Sequence, residues 1–373
     1  MRTHVSPRDL PAGHPAPRTG RSLVRLFALG GLVLGGVAAC EAVAEPEAVG
    51  RSSVTSQTGS IGGTVSNLLG QPVAGATVRA STGAVTVTNG AGSFVIHGLS
   101  ARERLPVTVE ASGYLSTTKV YSVVAGQTLT RPIRLQHEAA PVVIQAGNGG
   151  VVPFGGNGQV VIPPNAFAGV SPGSPVTVRA TYLDSSDPAQ VSTAPGDFTA
   201  VTSSGSNVRL ESFGMLQVDA RNAQGQPVDL APGQQATLRF PVRGTLSSAG
   251  FWNFDPQQGT WIEEGRVTVS GNTMNTSVTS LEARRNVDVP IQQVCVRLRV
   301  LRSDNVTPRP YEFAGVTGIS YSGFTQGWTD AQGIVTLNAR VSSQVRAEAG
   351  PVSQTVNTPG LGAPCPVIAT LAF

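Results

Sequence analysis

Three cysteines stand among 373 residues, and their surroundings set them apart. Cys40 closes the apolar run "LVLGGVAAC", whereas Cys295 lies in "VCVRLRV" and Cys365 in "GAPCPVI". Other reactive groups are sparse. After residue 40 there are two histidines, His97 and His137. A catalytic zinc needs three clustered ligands and an open position, which this inventory does not offer. No serine occupies a nucleophile-elbow context, and no glycine-rich loop opens a helix. Glu263 and Glu264 are adjacent, so in a strand they point to opposite faces and cannot act as a pair. Asp184 and Asp187 in "LDSSDPAQ" supply carboxylates, but calcium takes roughly six to eight oxygens, and the two read as solvated turn residues. The expectation is a protein that is not an enzyme and carries neither metal nor cofactor.

The tryptophans are the remaining candidates. Indole faces stack on sugar rings, which makes Trp252, Trp261 and Trp328 candidate ligand contacts. Trp252 and Trp261, however, flank a turn in "FWNFDPQQGTW", where aromatic pairs brace a hairpin across strands, and that is the preferred reading. Aromatic residues make up 5% of the chain, which argues against an extensive carbohydrate-binding surface.

The elements that would position these residues are strands. With 44 glycines, 27 prolines and runs of alternating apolar and polar residues, the chain reads as many short strands joined by tight turns. The expected fold class is all-β, a tandem of β-sandwich modules after a cleaved signal segment and a flexible tether. No credible helix follows the signal segment. Arg18, Arg21 and Arg25 precede the 14-residue apolar run 26–39, which as a helix is about 21 Å long, too short for a bilayer core of about 30 Å. Basic residues, a short apolar core and then small residues describe a secretory signal. Residues 40–59 lack periodicity and read as a tether with a reach of roughly 25 Å. Three modules follow, at 60–137, 140–285 and 290–373.

Charge excludes one class of partner. Five of the 26 basic residues and one of the 22 acidic residues lie before position 40, leaving 21 of each beyond it. The remainder is formally neutral, and no basic patch points to nucleic acid.

Several segments resemble known families. Ending in "VAAC", the signal segment is similar to the lipobox of bacterial lipoproteins. The resemblance implies cleavage before Cys40 and acylation of that residue, with a plain cleaved signal as the alternative. Two or more acyl chains hold a protein stably on a membrane. Residue 41 is glutamate, not the aspartate that retains some lipoproteins at the inner membrane, so the implied location is the outer membrane. "PVAGATV" (72–78), "TNGAGSFVIHGL" (88–99) and "VTVEASGY" (107–114) resemble the carboxypeptidase regulatory-like domain, which implies a transthyretin-like sandwich without catalytic residues. Some related sandwiches carry a lysine–asparagine crosslink, but Lys119 is the sole lysine and lies late in its module, so no such bond is expected. "IPPNAF" and "FDPQQGTWIEEG" resemble the middle region of cartilage-intermediate-layer-like proteins, and the first also resembles ZU5-type domains.

In the last module, "YSGFTQGWTDAQGIVTL" (321–337) echoes "TVTNGAGSFVI" (86–96). It is read as a second, diverged regulatory-like sandwich lacking a "PVAGATV" segment. Cys295 and Cys365 frame that module, and in an exported chain such a pair suggests a disulfide, two buried thiols being the alternative. The functional expectation is a lipid-anchored envelope protein with a structural or adhesive role, or else a glycan- or peptidoglycan-binding lipoprotein. Its partners would be the membrane, through Cys40, and an envelope protein or glycan.

Overall fold

The computed structural model describes residues 57–242, 248–321 and 323–373. Cys40, the signal segment and most of the tether lie outside the described residues. The described residues form one compact unit built almost wholly from strands.

The first module comprises β1 (Thr58–Asn67), β2 (Thr77–Ala80), β3 (Val85–Val87), β4 (Ser93–Ser100), β5 (Arg102–Glu110), β6 (Thr117–Val123), β7 (Thr128–Thr130) and β8 (Ile133–Leu135). One sheet pairs β1 antiparallel with β4 and parallel with both β7 and β8; the other runs β3-β2-β5-β6. Alternation decides which side chains meet between them. In β5, Leu105, Val107 and Val109 have no exposed surface and pack with Ile61, Val65 and Val78. The break between β7 and β8 brings backbone onto β1. A Cβ added at Gly63 would stand 2.0 Å from the Arg131 carbonyl oxygen, so the crossing requires glycine.

The middle module comprises β9 (Val142–Gln145), β10 (Gly150–Phe154), β11 (Gly158–Ile162), β12 (Pro175–Leu183), α1 (Pro188–Val191), β13 (Thr199–Val201), β14 (Asn207–Arg221), β15 (Ala236–Pro241), β16 (Ser248–Asp255), β17 (Thr260–Ser270), β18 (Thr273–Val278) and β19 (Arg284–Pro290). Its strands form one sheet in the order β10-β11-β15-β18-β17-β16-β19-β14-β12-β9, with β13 bridging β14 and β17. The two ends of that sheet are consecutive in sequence and meet at a Gln145–Gly149 bridge, so the sheet curls round its core. β11 stops at Pro163-Pro164, which cannot donate ladder hydrogen bonds, and Asn165 turns the chain with φ 56°. The single turn α1 departs from the helix-free expectation. Asp187 caps it, its carboxylate accepting from the Ala189 amide at 2.9 Å.

The third module comprises β20 (Gln293–Leu301), β21 (Phe313–Gly318), β22 (Phe324–Trp328), β23 (Ile334–Arg340), β24 (Gln344–Ala349), β25 (Val352–Asn357) and β26 (Val367–Ala372). β20 pairs antiparallel with β23 and parallel with β26, and the facing sheet runs β22-β21-β24-β25. This repeats the strand order of the first module. The repeat extends to atoms. Thr88 donates to the Val73 carbonyl and accepts from the Ala76 amide; Thr329 donates to the Arg309 carbonyl and accepts from the Glu312 amide. Asn89 and Asp330 each accept two amides of their own turn, closed by Gly92 and Gly333 at φ 72° and 70°. The segment expected to be missing is therefore present as "PRPYE" (308–312). Tyr311, at φ 55°, takes the left-handed place that Gly75 fills at φ 72°. Its amide donates to Thr329 as that of Gly75 does to Thr88. Cys295 and Cys365 are joined in a disulfide, Cα atoms 4.8 Å apart, which ties the entry of β26 to its parallel neighbour β20.

Candidate functional site: the junction of the three modules

The three modules meet, and each contact is made by particular side chains. β6, the edge strand of the first module, lies against the α1 segment of the middle module. The Thr117 hydroxyl donates to the Thr193 carbonyl at 2.8 Å, and the Gly196 amide to the Thr118 carbonyl at 2.7 Å. Such pairing covers an edge that would otherwise be open to another chain. Arg104 forks onto Asp197 at 2.5 and 3.2 Å and also reaches the Gly259 carbonyl. Burial opposes the Asp197 charge, but the Arg104 hydrogen bonds and the nearby Arg209 outweigh it and hold the carboxyl below its ordinary range.

The third module closes on both others. Trp328 donates its indole N–H to the Ser122 carbonyl at 3.1 Å, and Phe313 packs edge-on against it with centroids 5.5 Å apart. Both rings extend the core of the first module. The Arg131 guanidinium lies 4.1 Å from the Phe313 ring centroid and donates to Gln326. Toward the middle module, Arg340 pairs with Glu211 at 2.6 Å, and Phe324 meets Phe198 edge-on at 5.5 Å.

Where the three meet, they enclose a half-open cavity of about 590 Å³. The first module contributes Lys119, Tyr121 and Arg131; the middle one Glu211, Ser212 and Phe213; the third Tyr321, Gln326, Arg346 and Glu348. Lys119 is held by the Ser192 and Ala194 carbonyls at 2.9 and 2.5 Å. Burial, with the Arg131 and Arg284 charges, pushes its pKa down to about 7. Among the described residues no carboxylate forms an ion pair with Lys119 or Arg131, whereas Glu211 has Arg340 and Glu348 has Arg346 at 3.2 Å. Burial raises the Glu211 carboxyl above its ordinary value despite the opposing Arg340 charge.

The residues singled out from sequence are distributed otherwise. Trp252 and Trp261 have no exposed surface, so neither offers a ring face to a ligand; they are core residues. Trp252 donates to the Asp288 carbonyl, and Trp261 stacks edge-on against Phe254 at 5.1 Å. Trp328 is half-buried and spent on the contact between modules. Glu263 accepts from Ser203, and Glu264, the extra residue of a bulge facing β16, pairs with Arg285 at 3.3 Å. His97 shares a hydrogen bond with Ser60, and His137 stacks on Tyr114. Among the described residues, no three of His, Cys, Asp and Glu converge in metal-binding range. The cavity escaped the sequence reading because its walls come from three modules. Its one local signal was the solitary lysine.

Comparison with known proteins adds the following. Residues 60–136 match the carboxypeptidase regulatory-like domain. Over a longer span the chain is 29% identical across 275 residues to cartilage intermediate layer protein 2 of Mus musculus, a match covering 64% of this chain and 23% of that protein. It is 24% identical over 268 residues to cartilage intermediate layer protein 1 of Homo sapiens, covering 64% and 22%. The chain thus spans about a quarter of the length of these relatives. Among solved structures it is similar to the major pilin subunit BcpA of Bacillus cereus, with TM-score 0.19, 10% identity and 85% and 98% of the two chains covered. For the pilin SpaD of Corynebacterium diphtheriae the values are 0.21, 8%, 82% and 91%. Superpositions this poor carry no argument.

Proposed function

We propose that this is a non-catalytic, lipid-anchored protein of the bacterial outer membrane, in which three β-sandwich modules form one rigid body with a structural or adhesive role. The carrying observation is the junction. Charged and aromatic side chains that could have formed a catalytic constellation are committed to holding modules together: Arg104 with Asp197, Arg340 with Glu211, Trp328 with Ser122. Linked domains ordinarily meet through small polar contacts and move against each other; these interdigitate rings and continue one another's cores. In this reading residues 290–373 are a second regulatory-like sandwich, supported by the repeated strand order and turn geometry. Cys40 carries the acyl chains and residues 41–56 set the body off the membrane. The test compares intact mass and membrane fractionation of the natively expressed protein with those of Cys40→Ala. Acyl mass and membrane association in the wild type, both lost in the variant, are expected. A soluble, unacylated wild type overturns the anchor.

A second reading, a glycan-binding lipoprotein, is favoured by the cavity between the modules.

A further inference from the structure

The cavity at the junction has the build of a ligand site. Its volume, about 590 Å³, falls within the range that encloses small organic ligands, and such sites concentrate where domains meet. The walls are chemically divided. On the first module's side stand two cations, Lys119 and Arg131, that form no ion pair with a carboxylate among the described residues. The remaining wall is made of hydrogen-bonding groups and ring faces. Ser212, Thr317 and Ser320 bring hydroxyls, Gln326 an amide, and Glu211 and Glu348 carboxylates paired with Arg340 and Arg346, the Glu348 charge also reaching Arg131. Phe213, Tyr321 and Phe324 supply apolar surface.

Two cations brought together in a partly desolvated place repel each other, and an anion between them removes that cost. Arg131 presents a planar fork suited to a carboxylate, and Lys119, fixed by the Ser192 and Ala194 carbonyls, a point charge that an anion beside it would keep protonated. Carboxylates and hydroxyls opposite them are acceptors for ligand hydroxyls, and ring faces suit the C–H faces of a pyranose.

We infer that the three-module cavity binds a small polyhydroxylated carboxylate, an acidic mono- or disaccharide, with its carboxylate between Lys119 and Arg131. This rests on the glycan-binding reading and names its site and ligand class. It does not depend on the anchor. Ile319 lines the cavity and is 49% exposed, which puts it at the mouth.

The test is calorimetric titration and thermal shift of the Cys40→Ala protein with D-glucuronate, D-glucose and inorganic phosphate as probes. Glucuronate is expected to bind and raise the melting temperature, and glucose to bind at least tenfold more weakly. Lys119→Gln keeps donors for the two carbonyls while removing the charge, and should weaken glucuronate at least tenfold. Ile319→Trp, a change at an exposed position, should block entry without altering the melting temperature of the ligand-free protein. If Lys119→Gln does not fold, Ile319→Trp still decides the matter. Glucose binding as tightly as glucuronate overturns the anion assignment and leaves glycan binding standing. Phosphate binding as tightly as glucuronate overturns the saccharide class. Binding unchanged in Ile319→Trp overturns the location, and no binding of any probe overturns the inference together with the glycan reading.

Discussion

Asp288 is the residue where burial most plainly governs chemistry. It has no exposed surface, and one carboxylate oxygen accepts from the Asn286 amide at 2.5 Å. Burial pushes the carboxyl well above its ordinary range, and the hydrogen bonds it accepts recover only part of that. The folded state therefore holds this proton more tightly than the unfolded chain does. The stability tied to it is fully present below the unfolded pKa of about 4 and is lost as pH rises through the folded value. Chemical denaturation across that window should show a fall of up to about 1.4 kcal/mol per pH unit from this one group. Asp288→Asn should flatten that slope; an unchanged slope means that the carboxyl is ionised in the fold. Lys119 works in the opposite direction on the basic side. With its pKa down at about 7, the folded state binds fewer protons than the unfolded chain up to about 10.5, so its destabilising share fades as pH rises through that interval.

At the scale of elements, the sequence carried the turns better than the strands' destinations. Asn89-Gly90, Pro163-Pro164 and the alternation of β5 and β20 announced where strands begin and end, because backbone chemistry at turns is local. The repeat of "NxxGQPV" at 67–73 and 222–228 is legible in the sequence too. In both copies the asparagine side chain accepts two turn amides and donates to the glutamine. The third module's counterpart of "PVAGATV" was hidden by Tyr311, since a sequence pattern that demands glycine cannot see a tyrosine forced into the left-handed region. The disulfide belongs to this scale as well. It closes a 70-residue separation and fixes a parallel strand at the end of the chain. On the chain-entropy account, removing it by Cys295→Ala with Cys365→Ala should cost about 4 kcal/mol of stability, read by denaturant titration followed by tryptophan fluorescence. A loss under about 1 kcal/mol would show that strand pairing alone holds β26 in place.

For the whole molecule, the order of modules could be read along the chain, but their meeting could not. Arg104 with Asp197, Arg131 with Gln326 and Trp328 with Ser122 join residues 93, 195 and 206 positions apart, and no local pattern marks either partner. The same holds for the cavity, whose cations and hydroxyls are contributed by different modules. The proposed function stands on this scale, because a rigid three-module body presents one fixed surface and one half-open cavity, whereas beads on a string present neither. Scanning calorimetry of the Cys40→Ala protein tests that claim most directly. One cooperative transition, with calorimetric and van't Hoff enthalpies in agreement, is the predicted result. Two or three separate transitions would contradict it and return the chain to independent modules on a tether.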